Sequence, residues 1–580
     1  MTLQNRVAEL LAGASGLPAE QVLALLEVPP NPSLGDYAFP CFTLAKTLRK
    51  SPPVIAAEIA AKLSADWIEH VAVAGAYVNI TIKTAEIAKA ALNTSRTSAL
   101  PTSDCQTICI ESPAPNTNKP LHLGHVRNML LGVAVRTLLA RRGHKVHALD
   151  LVNDRGVHIC KSMLAYNMVG HGATPSSTGM KGDHFVGKYY VEYSRAEKDN
   201  PELEKEAQAM LIAWEENNPD VRALWSQMRE WCLAGFAESY KNFGVEIEKT
   251  YYESEIYLDG KDLILDAAKR GVFKTDAGEL SDGKTLKGNT EYRTGAVYAD
   301  LTAKGLGNKV LLRADGSAIY ITQDIALAKK RFDTYQMDRM LYVVGNEQNH
   351  HFQVLFSIFE QLGFSFAPQC KHMSYGYVSL PTGRMKSREG TVVDADDLRR
   401  EMIALAAEEI TKRTPELAEE EVARRAEAIG MGALRFYILK YDPARDFVYD
   451  PAESISFAGE TGPYVQYTYA RIQSIFRKAS VMEACELDVL FLVEPREKQI
   501  LNALLRYEEV VATAADKYEP YHVATYVLDL AQIANSYYHD TQILVDEVKL
   551  RSARLALLRA VSIVIKDALS LLGITALDEM

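Results

Sequence analysis

The chain predicts an α/β protein. A doubly wound parallel sheet carries an insertion, a small α/β module precedes it and an α-helical bundle follows. Three observations carry this reading. A β-branched run, Thr107 to Ile110, leads into a loop, an apolar-periodic stretch from Val126 to Arg142 that stops at Gly143, and a second apolar run from Val146 to Val152. Strand, loop, helix, strand is a βαβ unit and favours parallel pairing. The polar stretch 93–104, containing Pro101, reads as a linker that sets off residues 1–100. From about residue 396 the apolar positions repeat with a period of about 3.6, the mark of a helix bundle.

Taken in order, residues 5–13, 20–27 and 54–63 have helical periodicity, and 71–82 has strand composition. Between them lies a turn-rich loop, Asn31 to Ala38. Residues 101–375 form the sheet domain. Roughly 160–290 is read as an insertion between its halves, with 195–245 strongly helical and laced with charge. Sheet-like segments return at 309–313 and 340–344, and Ile319 to Lys329 reads as a helix start. Residues 376–455 connect the sheet domain to the bundle at 456–580. Helices are expected at 397–413, 418–440, 460–484, 495–517, 521–540 and 549–572.

Composition bounds the function. The 580 residues are 48% hydrophobic and 24% charged, an ordinary globular balance, and the net charge is −11. That charge excludes a wholly basic nucleic-acid coat but leaves room for discrete basic faces. Seven cysteines, none in CxxC spacing, argue against a structural zinc site and a disulfide framework. No run of 18 apolar residues and no signal-peptide pattern occur, so the expectation is a cytoplasmic protein without a membrane span. With no strong exposed-patch signal, a monomer is the default.

The chemistry concentrates in the loop after the first strand, at the end of a parallel sheet where ligands bind. It reads Glu111-Ser-Pro-Ala-Pro-Asn116-Thr-Asn-Lys119-Pro-Leu-His122-Leu-Gly124-His125. Two imidazoles three residues apart share one helix face, and a helix N-terminus attracts anions. Gly124 leaves room for a flat base or ribose. A bare HxGH reads equally as a surface helix start with incidental histidines. A second string, Gly182 to Tyr189, approaches a phosphate-binding loop, but Tyr189 stands where Ser or Thr should hold Mg²⁺, and no strand precedes it. It is taken as a chance match.

His122-Leu-Gly-His125 in this extended context, Val344 to His350, Gly462 to Arg471 and the loop Gly383 to Gly390 together resemble class I aminoacyl-tRNA synthetases, and within them the arginyl-tRNA synthetases. The resemblance covers nearly the whole chain. It implies a Rossmann-like catalytic domain, an N-terminal module touching the tRNA elbow, and a C-terminal anticodon-binding bundle. It implies that arginine is activated with ATP to arginyl-adenylate, then passed to the 3′-terminal adenosine of tRNA(Arg). Mg²⁺ would arrive with ATP, and no zinc is implied.

By this resemblance His122, Gly124 and His125 contact ATP. Glu111 and Asp324 face the guanidinium with Tyr320 as wall, and Asn116 and Gln348 hold the α-amino and carboxylate end. Asn79, Tyr464, Tyr467, Tyr537 and Met580 are the tRNA candidates. Taken singly, Glu111 reads more readily as a strand-end surface carboxylate and Asp324 as a first-turn helix charge, and each tyrosine reads equally as buried packing. The second signature departs from the family's KMSKS. Here it is Arg384-Met385-Lys386-Ser387-Arg388, with serine where the second lysine belongs. Met385, Lys386, Ser387 and Arg388 keep the ATP-facing and catalytic roles, and Lys119 stands where a compensating lysine is placed in such members.

Other classes fit less well. A cysteine-specific synthetase should show zinc ligands, and a glutamate-specific one basic pocket residues. A small HxGH nucleotidyltransferase would not need the outer modules. A catalytically silent tRNA-binding descendant should have lost His122, His125 or the carboxylates.

Overall fold

The computed structural model describes residues 2–29, 31–92, 104–275, 295–314, 316–379, 381, 393–479 and 488–580. At its centre lies a five-stranded parallel sheet: β1 (Thr107–Glu111), β2 (Lys145–Val152), β3 (Lys249–Tyr252), β4 (Arg339–Gly345) and β5 (Cys370–Tyr375). The spatial order is β5-β4-β1-β2-β3, so the order reverses at β1. That reversal opens a crevice at the carboxyl ends of the strands. Ile110 pairs with Ala148 on one side and Leu341 on the other, which fixes the register.

The βαβ unit is present as expected, with one difference. Its helix, α1 (Leu123–Arg141), is not amphipathic. Every residue from Val126 to Leu131 is buried, including Arg127 and Asn128. The sheet covers one face, and the connector and bundle helices cover the other. A helix covered all round is a core helix.

Two expectations need correction. Residues 249–252, placed inside the insertion at 160–290, are β3 of the central sheet and pair with β2 from Leu149↔Lys249 onward. The insertion proper is therefore helical and closes before β3. It contains α2 (Gly182–Asp199) and α3 (Pro219–Asn242). Conversely, the segment near 309–313 does not return to the central sheet. Asn308–Leu312 joins Val297–Asp300 and Lys274–Thr275 in a separate antiparallel sheet. A short β-branched run shows strand composition but not which sheet it enters.

After that small sheet come α4 (Tyr320–Tyr335) and α5 (Asn349–Gln361), which flank β4. Then α6 (Ala395–Arg413) and the helices from Glu419–Leu439 to Val548–Leu571 follow the predicted order. The expected helix at 495–517 is two, Pro495–Leu505 and Tyr507–Lys517. In the N-terminal module, the run at 71–82 is a hairpin, Ile68–Ala74 with Tyr77–Ile82, because Gly75 takes a left-handed φ of 61° between them. This module docks on the bundle. Asp36 accepts from Ile82 N at 2.7 Å and from Asn502 Nδ2 at 2.8 Å, with Lys498 Nζ 3.2 Å away. No helix among the described residues is long and apolar enough to cross a membrane.

Candidate active site

The start of α1 is built by its two histidines. His122 is the N-cap, and its Nδ1 accepts from Gly124 N at 3.1 Å. His125 Nδ1 accepts in turn from His122 N at 3.2 Å. This is a reciprocal capping box made of imidazoles, with ring centroids 4.0 Å apart. Gly124 is required here, because a Cβ would stand 2.9 Å from His122 Cε1.

An Nδ1 that accepts leaves the ring proton on Nε2. Burial, with Lys119 adding repulsion, brings the His122 pKa down to about 4. Burial, with repulsion from His122 and Lys119, pushes that of His125 well below the ordinary range. Both rings are therefore neutral Nε2–H donors near pH 7. The positive charge beside them belongs to Lys119, whose own pKa burial lowers. No carboxylate pairs with it among the described residues.

The loop between β1 and α1 is held from beneath. Asp150, fully buried, accepts from Ala114 N at 3.0 Å and from Tyr240 OH at 2.8 Å, and burial raises its pKa to about 7. Thr117 N and Asn153 N exchange backbone bonds across Asn153 O and Pro115 O, both 2.9 Å. Asn128 Nδ2 reaches Val343 O at 2.6 Å, and Ser112 Oγ reaches Asn128 Oδ1 at 2.6 Å. These bonds tie the loop to α1 and β4.

The four strand ends converge on one crevice. Asn116 follows β1, Asn153 follows β2, Glu253 follows β3 and the exposed Gln348 follows β4. Beside it lies a cavity of about 50 Å³, lined by Glu111, Asp324, Arg331, Tyr342, His351 and neighbouring apolar groups. Tyr320 opens α4 and is 59% exposed, with Asp324 one turn later on the same face. Asp324 Oδ2 lies 3.0 Å from His351 Nε2.

Glu111 lies in this cavity wall, but its Oε2 is already taken by the buried Arg331. An internal guanidinium thus occupies one of the two carboxylates expected for a substrate guanidinium. A carboxylate the sequence reading missed stands beside the cavity. Glu253 neighbours Asn153, Asp154, Tyr320 and Asp324, and burial with the Asp324 and Asp154 charges raises its pKa to about 8. Its buried Oε2 has no hydrogen-bond partner among the described residues. The available signal was an acidic residue following the Thr/Tyr-rich strand 249–252, hidden by assigning that strand to the insertion.

The remote candidates divide. Tyr464 and Tyr467 are partly exposed on Gly462–Ala479, and Met580 packs against the Ala406–Ile410 cluster. Tyr537 is fully buried and donates to Glu497 at 2.8 Å, so it is structural rather than a stacking platform. Its neighbour Tyr538 is only partly buried, and Arg471 lies over both Tyr538 and Tyr467, at 4.7 and 5.5 Å. Asn79 is 3% exposed in the middle strand of its sheet and presents no free surface. Met385, Lys386, Ser387 and Arg388 lie outside the described residues. The string Gly182 to Tyr189 is no phosphate loop. It is helical, and its glycines serve packing: a Cβ on Gly182 would stand 1.9 Å from Trp231 O, and one on Gly187 would stand 2.6 Å from Pro120 Cδ.

A parallel sheet reversing at β1, with HxGH opening the following helix and a helical domain behind it, defines a class I aminoacyl-tRNA synthetase. The family described as tRNA synthetases class I (R), catalytic domain, matches residues 86–451. The arginyl tRNA synthetase N terminal domain matches 1–82, and the DALR anticodon binding domain 465–580. The chain belongs to the arginyl-tRNA synthetase family. It is 40% identical to an arginine–tRNA ligase of Treponema denticola, over 100% of this chain and 99% of that one. It is 44% identical to one of Parabacteroides distasonis, over 82% and 80%. The solved Thermus thermophilus arginyl-tRNA synthetase superposes with a TM-score of 0.81 at 25% identity, covering both chains fully.

Proposed function

We propose that the chain activates L-arginine with ATP and transfers it to the 3′-terminal adenosine of tRNA(Arg), reading the arginine side chain in the cavity between β1, α4 and α5. The observation that carries this is the acidic wall of that cavity, set beside a helix start with two neutral N–H donors. A guanidinium is planar, permanently charged and all donors, so it needs carboxylates and aromatic walls. Asp324 and the unpaired Glu253 oxygen supply the acceptors, and Tyr320 the wall. Glu111 contributes by holding Arg331 in the cavity wall. Asn116 and Gln348 hold the α-amino and carboxylate end at the mouth.

In the first step an arginine carboxylate oxygen attacks the α-phosphorus of Mg-ATP, and pyrophosphate leaves. In the second, a hydroxyl of the terminal adenosine attacks the arginyl carbonyl, and AMP leaves. No covalent protein intermediate is needed, because positioning and charge stabilisation suffice. His122 and His125 donate through Nε2 to phosphate oxygens without adding charge, and Gly124 lets the nucleotide lie on the backbone. Lys119 supplies the cation that the second signature lacks, assisted by Lys386 and Arg388, with Met385 and Ser387 on the nucleotide. If Lys119→Ala keeps its exchange rate while Lys386→Ala loses it, this compensation is wrong. Tyr464, Tyr467 and Tyr538 take the anticodon bases by stacking, with Met580 beneath them.

ATP–pyrophosphate exchange with each of the amino acids, with and without tRNA, tests the assignment. Exchange confined to arginine is the expected result. Exchange with another amino acid, or with none, would overturn it.

A further inference from the structure

The insertion carries a charged cluster that none of these roles uses. Lys181 Nζ lies 2.6 Å from Asp396 Oδ2, 2.6 Å from Ser239 Oγ and 3.1 Å from Asp183 Oδ2. His184 Nε2 lies 3.2 Å from Asp394 Oδ2 and 3.4 Å from Asp396 Oδ2. Ser239 Oγ donates to Asp396 at 3.1 Å. Asp183 is fully buried. Asp183, His184 and Asp396 could surround a cation, with ligand atoms within 4.8 Å of one another. The Lys181 ammonium already fills that role between the two carboxylates, so the cluster is a closed ionic clamp rather than a metal site.

Its location gives it a use. Lys181 and His184 belong to the start of α2 and Ser239 to α3, whereas Asp394 caps α6, with Oδ1 accepting from Asp396 N at 2.9 Å. The same short segment pairs with the first signature. Leu123 N donates to Val393 O and Ala395 N to Leu121 O, both 3.0 Å. The clamp therefore grips, by side chains, the backbone that lies against His122. The other face of the first-signature loop is supported by α2 through Gly187, against Lys119 and Pro120.

We propose that Lys181, His184 and Ser239 are positioning residues: by holding Asp394 and Asp396 they fix residues 393–395 against the first-signature segment, and so keep His122 and Lys119 in register for adenylate formation. This rests on the ligase reading for its kinetic part only. The cluster contains none of the residues assigned to ATP or arginine. Its loss should therefore lower the rate of the activation step and leave arginine affinity alone.

Three variants test it: Lys181→Met, Lys181→Arg and His184→Gln, the last at a partly exposed side chain whose change spares the core. In arginine-dependent pyrophosphate exchange, Lys181→Met should lose ~10-fold or more in kcat, as misplacement at a remote support does. Its KM for arginine should stay within roughly twofold. Lys181→Arg should recover most of the rate, because the cation returns. Asp396, Asp394 and Asp183 face His184, with Lys181 the opposing cation, and the carboxylates raise its pKa above the usual value. The rate advantage of wild type over His184→Gln should therefore be greatest below that pKa and close as pH rises through it. Hydrogen exchange at 121–123 and 393–397 reads the clamp without any reaction, and protection there should fall in Lys181→Met. Unchanged protection in Lys181→Met overturns the proposal whatever the activity. So does unchanged kcat in folded Lys181→Met and His184→Gln, or a loss that Lys181→Arg fails to restore. Absence of exchange in wild type would sink the ligase reading instead, and the protection measurement would still decide the clamp.

Discussion

At the scale of single residues, chemistry is set by which polar groups are already satisfied. Asp150 and Asp154 are fully buried and bonded on several sides, so they are supports. Glu253 is the opposite case: its pKa is raised to about 8 and one oxygen has no partner. Near pH 7 it is mostly protonated in the free protein, and it must ionise to pair with a guanidinium. Arginine binding should thus release a proton, and affinity should rise as pH climbs through about 8. Calorimetry in buffers of different ionisation heat reads that proton directly, and Glu253→Gln should abolish both effects. Equal proton release in Glu253→Gln would assign the proton elsewhere.

The family resemblance named Asp324, Tyr320 and Asn116 beside the two histidines, and in the fold Asn116 follows β1 while Tyr320 and Asp324 stand in the first turns of α4. Sequence could not show that Arg331 occupies Glu111, since the partners are 220 positions apart. It also named Tyr537 as a stacking candidate, since which face of a helix is buried shows only once the helix is docked.

At the scale of elements, α1 is the part on which the others converge. Arg127 at its first turns is buried, has no carboxylate ion-pair partner among the described residues, and donates to the carbonyls of Gly376, Pro443 and Arg445. Burial draws its pKa down to about 10. One planar fork thus ties the first-signature helix to β5's exit and to the connector. A lysine cannot reproduce that geometry. Arg127→Lys should lower stability by about 1–3 kcal/mol, because at least one largely buried carbonyl of this set loses its donor at roughly 1–3 kcal/mol. Scanning calorimetry checks this, and an unchanged transition would contradict it. The βαβ unit was legible because its periodicities are local. The fate of Lys249–Tyr252 and Asn308–Leu312 was not. A four- or five-residue strand-forming run pairs wherever a free edge is available, and that is decided by the whole sheet.

At the scale of the molecule, the N-terminal module and the bundle meet through Asp36, Lys498 and Asn502, and a single core runs from the module through α1 into the bundle. The family resemblance implies that the N-terminal module contacts tRNA, and its Asp36 serves the docking of that module on the bundle. Asp36→Ala should loosen the two tRNA-facing ends relative to each other. We expect KM for tRNA to rise by about tenfold, some 1.4 kcal/mol, with KM for ATP unchanged. Steady-state aminoacylation measures both, and a change confined to ATP would refute the arrangement.

On the proposed reading, the enzyme selects its amino acid through a carboxylate-lined guanidinium cavity. Charging of tRNA(Arg) with arginine and with citrulline, its neutral counterpart, tests this most directly in wild type and Asp324→Asn. Removing the partner of a desolvated charge typically costs about 2–5 kcal/mol. The arginine-to-citrulline ratio of kcat/KM should therefore collapse by ~30-fold or more in the variant. A ratio that stays the same in Asp324→Asn would contradict the account.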